Sequence, residues 1–127
     1  MVACVNHPDS KASVVVDSIW FCAPCFLRIT ESKVKAAIDR HGMVAAGDSI
    51  AVGLSGGKDS SALLLMMRKL ASRLRMARLV AITIDEGILG YREEAISMAK
   101  SLTQEYGVEH IVVRLRDIFG VDVDSLS

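Results

Sequence analysis

The feature that most limits the fold is a junction. The apolar run Ile50-Ala51-Val52-Gly53-Leu54 opens directly into Ser55-Gly56-Gly57-Lys58-Asp59-Ser60. So short an apolar run reads as a buried strand, and the glycines after it read as a turn that starts a helix. That helix extends to about Arg75, with Leu63, Met66, Met67, Leu70 and Leu74 at helical spacing. Leu79 to Ile84 is a second buried strand, and Asp85 to Gly90 is a loop. Tyr91 to Tyr106 reads as a helix with Ala95, Met98, Ala99, Leu102 and Tyr106 inward, stopped by Gly107. His110 to Leu115 is the third strand, and Arg116 to Ser127 fits no single element. Strand, helix, strand, helix, strand makes two right-handed βαβ units and predicts an α/β fold with a parallel sheet and flanking helices. Ligands of such sheets bind at the carboxyl ends of the strands, and both loops fall on that edge.

Ser55 to Ser60 has the chemistry of a phosphate cradle. Gly56 and Gly57 let successive N–H groups turn into one concavity. The helix that follows aims its positive dipole end at the same place. Lys58 adds a full charge, and Ser55 and Ser60 add hydroxyl donors. Asp59 suits a magnesium ligand, direct or through water, or the helix N-cap. The loop is not a Walker A motif. That motif needs glycine where Val52 stands and Ser or Thr where Asp59 stands.

A different chemistry occupies the N-terminus. Cys4-x2-His7 and Cys22-x2-Cys25 are two close pairs, separated by an apolar run from Ser13 to Trp20 that reads as a β-hairpin. Three thiolates and one imidazole suit tetrahedral zinc, in a closed structural site. A helix is expected from about Leu27 to His41, ended by Gly42. The expected organisation is a zinc-binding module over 1–26, a helical linker over 27–48 and a nucleotide domain over 49–127. His41 and His110 have no partner pattern and read as surface or cap residues.

Half the residues (51%) are hydrophobic, and the mean hydropathy is +0.36. A small domain buries a limited fraction of its surface, so some apolar surface is expected to need a cover. Lys+Arg and Asp+Glu both total 15, so bulk charge gives no argument for nucleic acid. Arg68, Lys69, Arg73, Arg75 and Arg78 nevertheless form an acid-free stretch. It reads either as a solvated helix face or as a phosphate-backbone surface. Cys4, His7, Pro8 and Asp9 interrupt the N-terminus where a secretory signal needs an apolar run. The apolar stretches stop short of membrane-spanning length. The cysteines stand at ligand spacing rather than in a disulfide framework. The expectation is a cytoplasmic protein with no membrane partner.

Ser-Gly-Gly-Lys-Asp-Ser resembles in full the PP-loop of the N-type ATP pyrophosphatases, of the adenine nucleotide alpha hydrolase-like fold. The segment Ile84-Asp85-Glu86-Gly87-Ile88-Leu89-Gly90-Tyr91-Arg92-Glu93 resembles the matching segment of the cytoplasmic tRNA 2-thiolation proteins. That family carries a similar zinc module, usually with cysteine where this chain has His7. The resemblance implies ATP bound by Ser55, Gly56, Gly57, Lys58, Asp59, Ser60, Thr83, Ile84 and Asp85, with Lys58 and Asp59 catalytic and Mg2+ beside them. Asp85 ends a strand at the ligand edge, where it could hold magnesium or a ribose hydroxyl. Arg92 could reach a phosphate. The implied reaction adenylates the uridine C2 oxygen of a tRNA, the wobble uridine foremost, and sulfur then displaces AMP. Implied partners are tRNA and a sulfur donor protein or sulfide. Thiolation at another tRNA position, and an ATP-binding subunit without turnover, are the competing readings. Family members are much longer and carry further cysteines that handle sulfur or an iron–sulfur cluster, whereas no cysteine follows Cys25. The chain therefore reads as an N-terminal portion, either a truncated product or a split protein with a separately encoded C-terminal half, with a homodimer as a further expectation.

Overall fold

The computed structural model describes residues 1–87 and 92–120, without the side chain of Arg92. Two compact units divide the chain, Met1–Met43 and a second from Val44 onward.

In the first unit, β1 (Val14–Val16) and β2 (Ile19–Phe21) form an antiparallel hairpin with Val15 opposite Trp20. Asp17 and Ser18 join them at φ 50° and 67°. Two left-handed residues match the twist of a tight hairpin, and short polar side chains tolerate that region best. Helix α1 follows at Ala23–Arg40. It starts earlier than the expected Leu27, because Cys22 serves as N-cap and a proline lies in the first turn, where its missing N–H costs nothing. Cys25 thus stands on a helix rather than in a free knuckle. The helix ends at Gly42, φ 57°, with the Met43 N–H reaching back to Ile38 O at 3.0 Å. That is the glycine-closed end expected of this sequence. The unit's small core is Phe21 with Cys4, Cys22 and Cys25, flanked by Val16, Phe26 and Ile29.

The second unit runs β3 (Ser49–Gly53), α2 (Lys58–Leu70), β4 (Arg78–Asp85), α3 (Arg92–Tyr106), β5 (Glu109–Arg114) and α4 (Leu115–Phe119). The strands lie in the order β3-β4-β5, all parallel, with Val52 beside Ala81 and Ala81 beside His110. The expected α/β architecture is therefore present. Both crossovers move the chain the same way across the sheet, which puts α2 and α3 on one face. That face carries Val52, Ala81, Thr83 and Asp85, all buried, with Leu54 continuing the row just past β3. The opposite face leaves Ile84 and Ile111 exposed at 56% and 39%, in line with the surplus of apolar residues.

The helical phase is largely the expected one, with Met67, Leu70, Leu74 and Ala99 buried and Met66, Ala95, Leu102 and Tyr106 half-buried, but it departs at single positions. Leu64, Met67 and Leu70 are the buried stripe of α2, while Leu63 is half exposed. On α3 the buried residues are Ala99 and Thr103, and Met98 faces solvent. In both helices apolar side chains occur on two faces, so spacing alone admitted more than one phase. Helix α2 closes at Leu70, and the turns after it end at Arg75 in the left-handed region, φ 54°, with Met76 N–H bonded to Ala71 O.

Leu64 is fully buried, so Leu64→Ala is expected to lower the unfolding free energy by about 2–5 kcal/mol. Leu63→Ala should change it by less than about 0.5 kcal/mol. Urea unfolding of the two variants decides the phase of α2.

Candidate functional site

The chain leaves β3 at Leu54 and enters the phosphate loop at the carboxyl edge of the sheet. Hydroxyl groups shape the loop from inside. The Ser55 N–H donates to Ser60 Oγ at 3.1 Å, and the Gly57 N–H donates to Ser55 Oγ at 3.3 Å. Ser60 Oγ donates to Gly57 O at 3.3 Å, so Ser55 Oγ donates to Ser60 Oγ at 3.0 Å. Gly56 sits at φ 89°, and a Cβ there would lie 2.4 Å from Ala95 O. The loop is thus pressed against α3, a contact only glycine permits.

Gly57 is the N-cap of α2, so the capping role considered for Asp59 is excluded. Asp59 lies in the first helical turn and, like Lys58, is exposed on the loop. Thr83 is 3% exposed, and its hydroxyl donates to Leu54 O at 2.7 Å. Ile84 points to the other face, which it shares with Ile82 and with Gly53 beside Ile82, and a Cβ at Gly53 would meet open space. Asp85 is buried, and its Oδ1 accepts the Gly87 N–H at 3.0 Å while Oδ2 lies 3.7 Å from Arg114 Nε. Ile88, Leu89, Gly90, Tyr91 and the Arg92 side chain lie outside the described residues. A cavity of about 780 Å³ opens beside Asp85, between α3 and the end of β5. Its lining mixes Lys100, Arg114 and Arg116 with Glu93 and Asp117 and includes no residue of the loop.

His110 is not the unpartnered surface residue expected from sequence. Its Nε2 lies 2.7 Å from Thr83 Oγ1, and burial followed by the charge of Lys100 lowers its pKa. Linear spacing gives no hint of this pair; only the β4–β5 register creates it.

In the first unit, one ligand atom each from Cys4, His7, Cys22 and Cys25 lies within 4.8 Å of the others. His7 Nδ1 is 3.9, 3.7 and 3.2 Å from the sulfurs of Cys4, Cys22 and Cys25. Four such ligands around one tetrahedral ion stand about 3.7 Å apart, so the set fits a single metal ion. Arg28 donates to Cys25 Sγ at 3.3 Å from one helical turn on and lowers that thiol's pKa. Burial opposes ionisation of Cys4, but the Cys22 and Asn6 backbone N–H groups and His7 outweigh it and bring the thiol to about 6. His7 in turn is raised, first by its bond to Cys4 and then by the charge of Cys25.

Residues 27–125 match the PP-loop domain family. This chain belongs to that family. It is 35% identical over 118 residues to cytoplasmic tRNA 2-thiolation protein 1 of Caenorhabditis elegans, covering 92% of this chain and 32% of that protein. To the protein of the same name from Aspergillus niger it is 33% identical over 126 residues, covering 97% and 37%. The chain thus spans about a third of the length of the curated relatives it matches. It is also similar to the solved structure of the U34-tRNA thiolase NcsA from Methanococcus maripaludis with its 4Fe–4S cluster, with a TM-score of 0.82 at 29% identity. That match covers 99% of this chain and 42% of the other.

The basic stretch lies away from the PP-loop, around the opposite ends of the strands. Arg68 donates to Tyr106 O at 2.6 Å and lies over its ring. Arg78 pairs with Glu109, whose carboxyl pKa it lowers. Arg68 and Arg78 therefore clamp α2 to α3 and β4 to β5, which favours the bland reading of the stretch over a phosphate-binding surface.

Gly56→Ala should destabilise the second unit by about 1–3 kcal/mol, through positive φ and the clash with Ala95, as urea unfolding would measure. Cobalt added to metal-free protein should give the visible absorption of a tetrahedral thiolate site, and His7→Ala should weaken it. Protons compete for the thiolates, so binding is expected to be retained above the Cys4 value of about 6 and to fall as pH drops through it.

Proposed function

We propose that this chain binds ATP with Mg2+ at the PP-loop and uses it to adenylate a tRNA uridine for 2-thiolation. The observation that carries the reading is the exposed Lys58 and Asp59 at the N-terminus of α2, on the carboxyl edge of a parallel sheet. Triphosphate oxygens would take the loop N–H groups, the α2 dipole end and the Lys58 ammonium. Asp59 would hold the magnesium ion, which screens phosphate charge when bound. The adenosine would lie along the end of β4, at the backbone of Thr83 and Ile84 and the open apolar strip of Gly53 and Ile84. Asp85 would act there from its fixed turn.

The chemistry has a clear logic. The uridine C2 oxygen attacks the α-phosphorus of ATP, and pyrophosphate leaves with the broken P–O bond. A carbonyl oxygen leaves carbon poorly, whereas AMP leaves well. Sulfur from a donor then adds at C2, and AMP departs with the oxygen. Lys58 serves the first step by neutralising charge that grows on the leaving pyrophosphate. The names of the relatives support wobble uridine as the target and the cytoplasm as the location. Among the described residues no helix is long and apolar enough to cross a membrane.

In this reading residues 1–26 form the metal module, 27–48 connect, and 49–127 hold the nucleotide. Zinc is the ion that three thiolates and one imidazole fit best. A 4Fe–4S cluster is a poor fit to the same residues. It takes four cysteine thiolates spread around a cube, while this chain has three cysteines, gathered with His7 around one point. Sulfur transfer would then draw on a donor or partner beyond these residues.

The test mixes the purified chain with ATP, magnesium and bulk tRNA and follows AMP and pyrophosphate. AMP release should require tRNA, and Lys58→Ala should lower it by about 100-fold. AMP release indifferent to tRNA would refute RNA adenylation. Lys58-dependent ATP binding without AMP would favour the ATP-binding subunit.

A further inference from the structure

Leu54 is the last residue before the PP-loop, and its two backbone groups part company. Its N–H still joins the sheet, donating to Ile82 O at 2.8 Å. Its carbonyl instead accepts the Thr83 hydroxyl at 2.7 Å. The same Thr83 oxygen lies 2.7 Å from His110 Nε2. A threonine hydroxyl has one proton, and a carbonyl oxygen can only accept. The Thr83 proton therefore goes to Leu54, and His110 must donate from Nε2. This assigns the tautomer: Nε2 carries the hydrogen, and in the neutral ring Nδ1 does not.

We infer that Thr83 and His110 form a positioning relay for the PP-loop, fixing the Leu54 carbonyl from β4 and β5 and so the direction in which Ser55 and Gly56 leave the sheet. The inference rests on the proposed ATP site and deepens it. Register makes the relay possible. His110 stands beside Ala81, and Thr83 lies two residues on along the same face, so the three groups cross the sheet in one diagonal row. Burial makes it firm. Thr83 is 3% exposed, so loss of its hydroxyl leaves the Leu54 carbonyl with no ready replacement. The hydroxyl bonds within the loop are exposed and can yield to a ligand. The row beneath them is what stays put. Small displacements of a phosphate cradle matter because the bound geometry must be near reactive.

The test uses the whole chain and the variants Thr83→Val, Thr83→Ser, His110→Ala and the double Thr83→Val/His110→Ala. ATP affinity is measured by calorimetry, stability by urea unfolding, loop opening by amide exchange at Ser55 and Gly57, and the His110 tautomer by 15N shifts of the ring. Thr83→Val should weaken ATP binding about tenfold, by loss of one buried hydrogen bond. Thr83→Ser should restore most of it. The double variant should be no worse than Thr83→Val, because the two residues act in series. Ring shifts should show a protonated Nε2. A protonated Nδ1 in its place overturns the relay, as does a Thr83→Val variant with wild-type affinity and wild-type exchange. If the wild type does not bind ATP, exchange decides by itself. Faster Ser55 and Gly57 exchange in Thr83→Val upholds the relay while the ATP reading falls, and unchanged exchange overturns the relay.

Discussion

The parallel ladder between β3 and β4 is the constraint on which the second unit depends. It brings two chain exits to one edge, the PP-loop after β3 and the Asp85 turn after β4. It also fixes which side chains face the helices. Gly56 exploits that placement, because the loop approaches α3 so closely that Ala95 O occupies the space of a Cβ. The cradle is thus held on one side by a helix and from below by the sheet. Its interior bonds remain exposed hydroxyl contacts.

The two units are held by different physics. The second has a sheet face covered by helices, with Leu54, Leu64, Leu70 and Ala81 all buried. The first has a short hairpin, one helix and a core in which Phe21 is packed with three cysteines. So little apolar burial offsets only part of the chain entropy lost on folding. Ligand bonds to a metal ion can supply the remainder, and the cysteines are buried at the point where those bonds would converge. Arg28 completes the arrangement by placing a cation against a sulfur.

Much of this was legible in the chain itself, and the failures have physical causes. Strands announced themselves because strands of a parallel sheet are nearly all apolar, as in Leu79 to Ile84, although Ile84 is exposed. The loop was legible because glycine, lysine and serine are needed there for separate reasons. Helix phase was legible except at Leu63 and Met98, since Leu63, Leu64, Met66 and Met67 put apolar groups on adjacent faces. The start of α1 is hidden in the sequence because Cys22 and Cys25 stand at metal-ligand spacing, although the proline between them suits a first turn. His110 was illegible in principle. Its partner lies 27 residues away and meets it through register, which spacing along the chain does not encode. The basic stretch is ambiguous for the same reason, because Tyr106 and Glu109 lie across from Arg68 and Arg78 only in the fold.

Ile84 and Ile111 stand in water on the sheet face away from the helices. Their hydration is already present in the native state and is not released on folding. Unfolding therefore exposes less new apolar area than so hydrophobic a composition suggests. The heat capacity of unfolding and the denaturant sensitivity both scale with that area, so both are lower than the composition alone implies. The same water is a reserve of free energy. Whatever segment or molecule settles on that face releases it, with a fall in heat capacity as the thermal signature of contact.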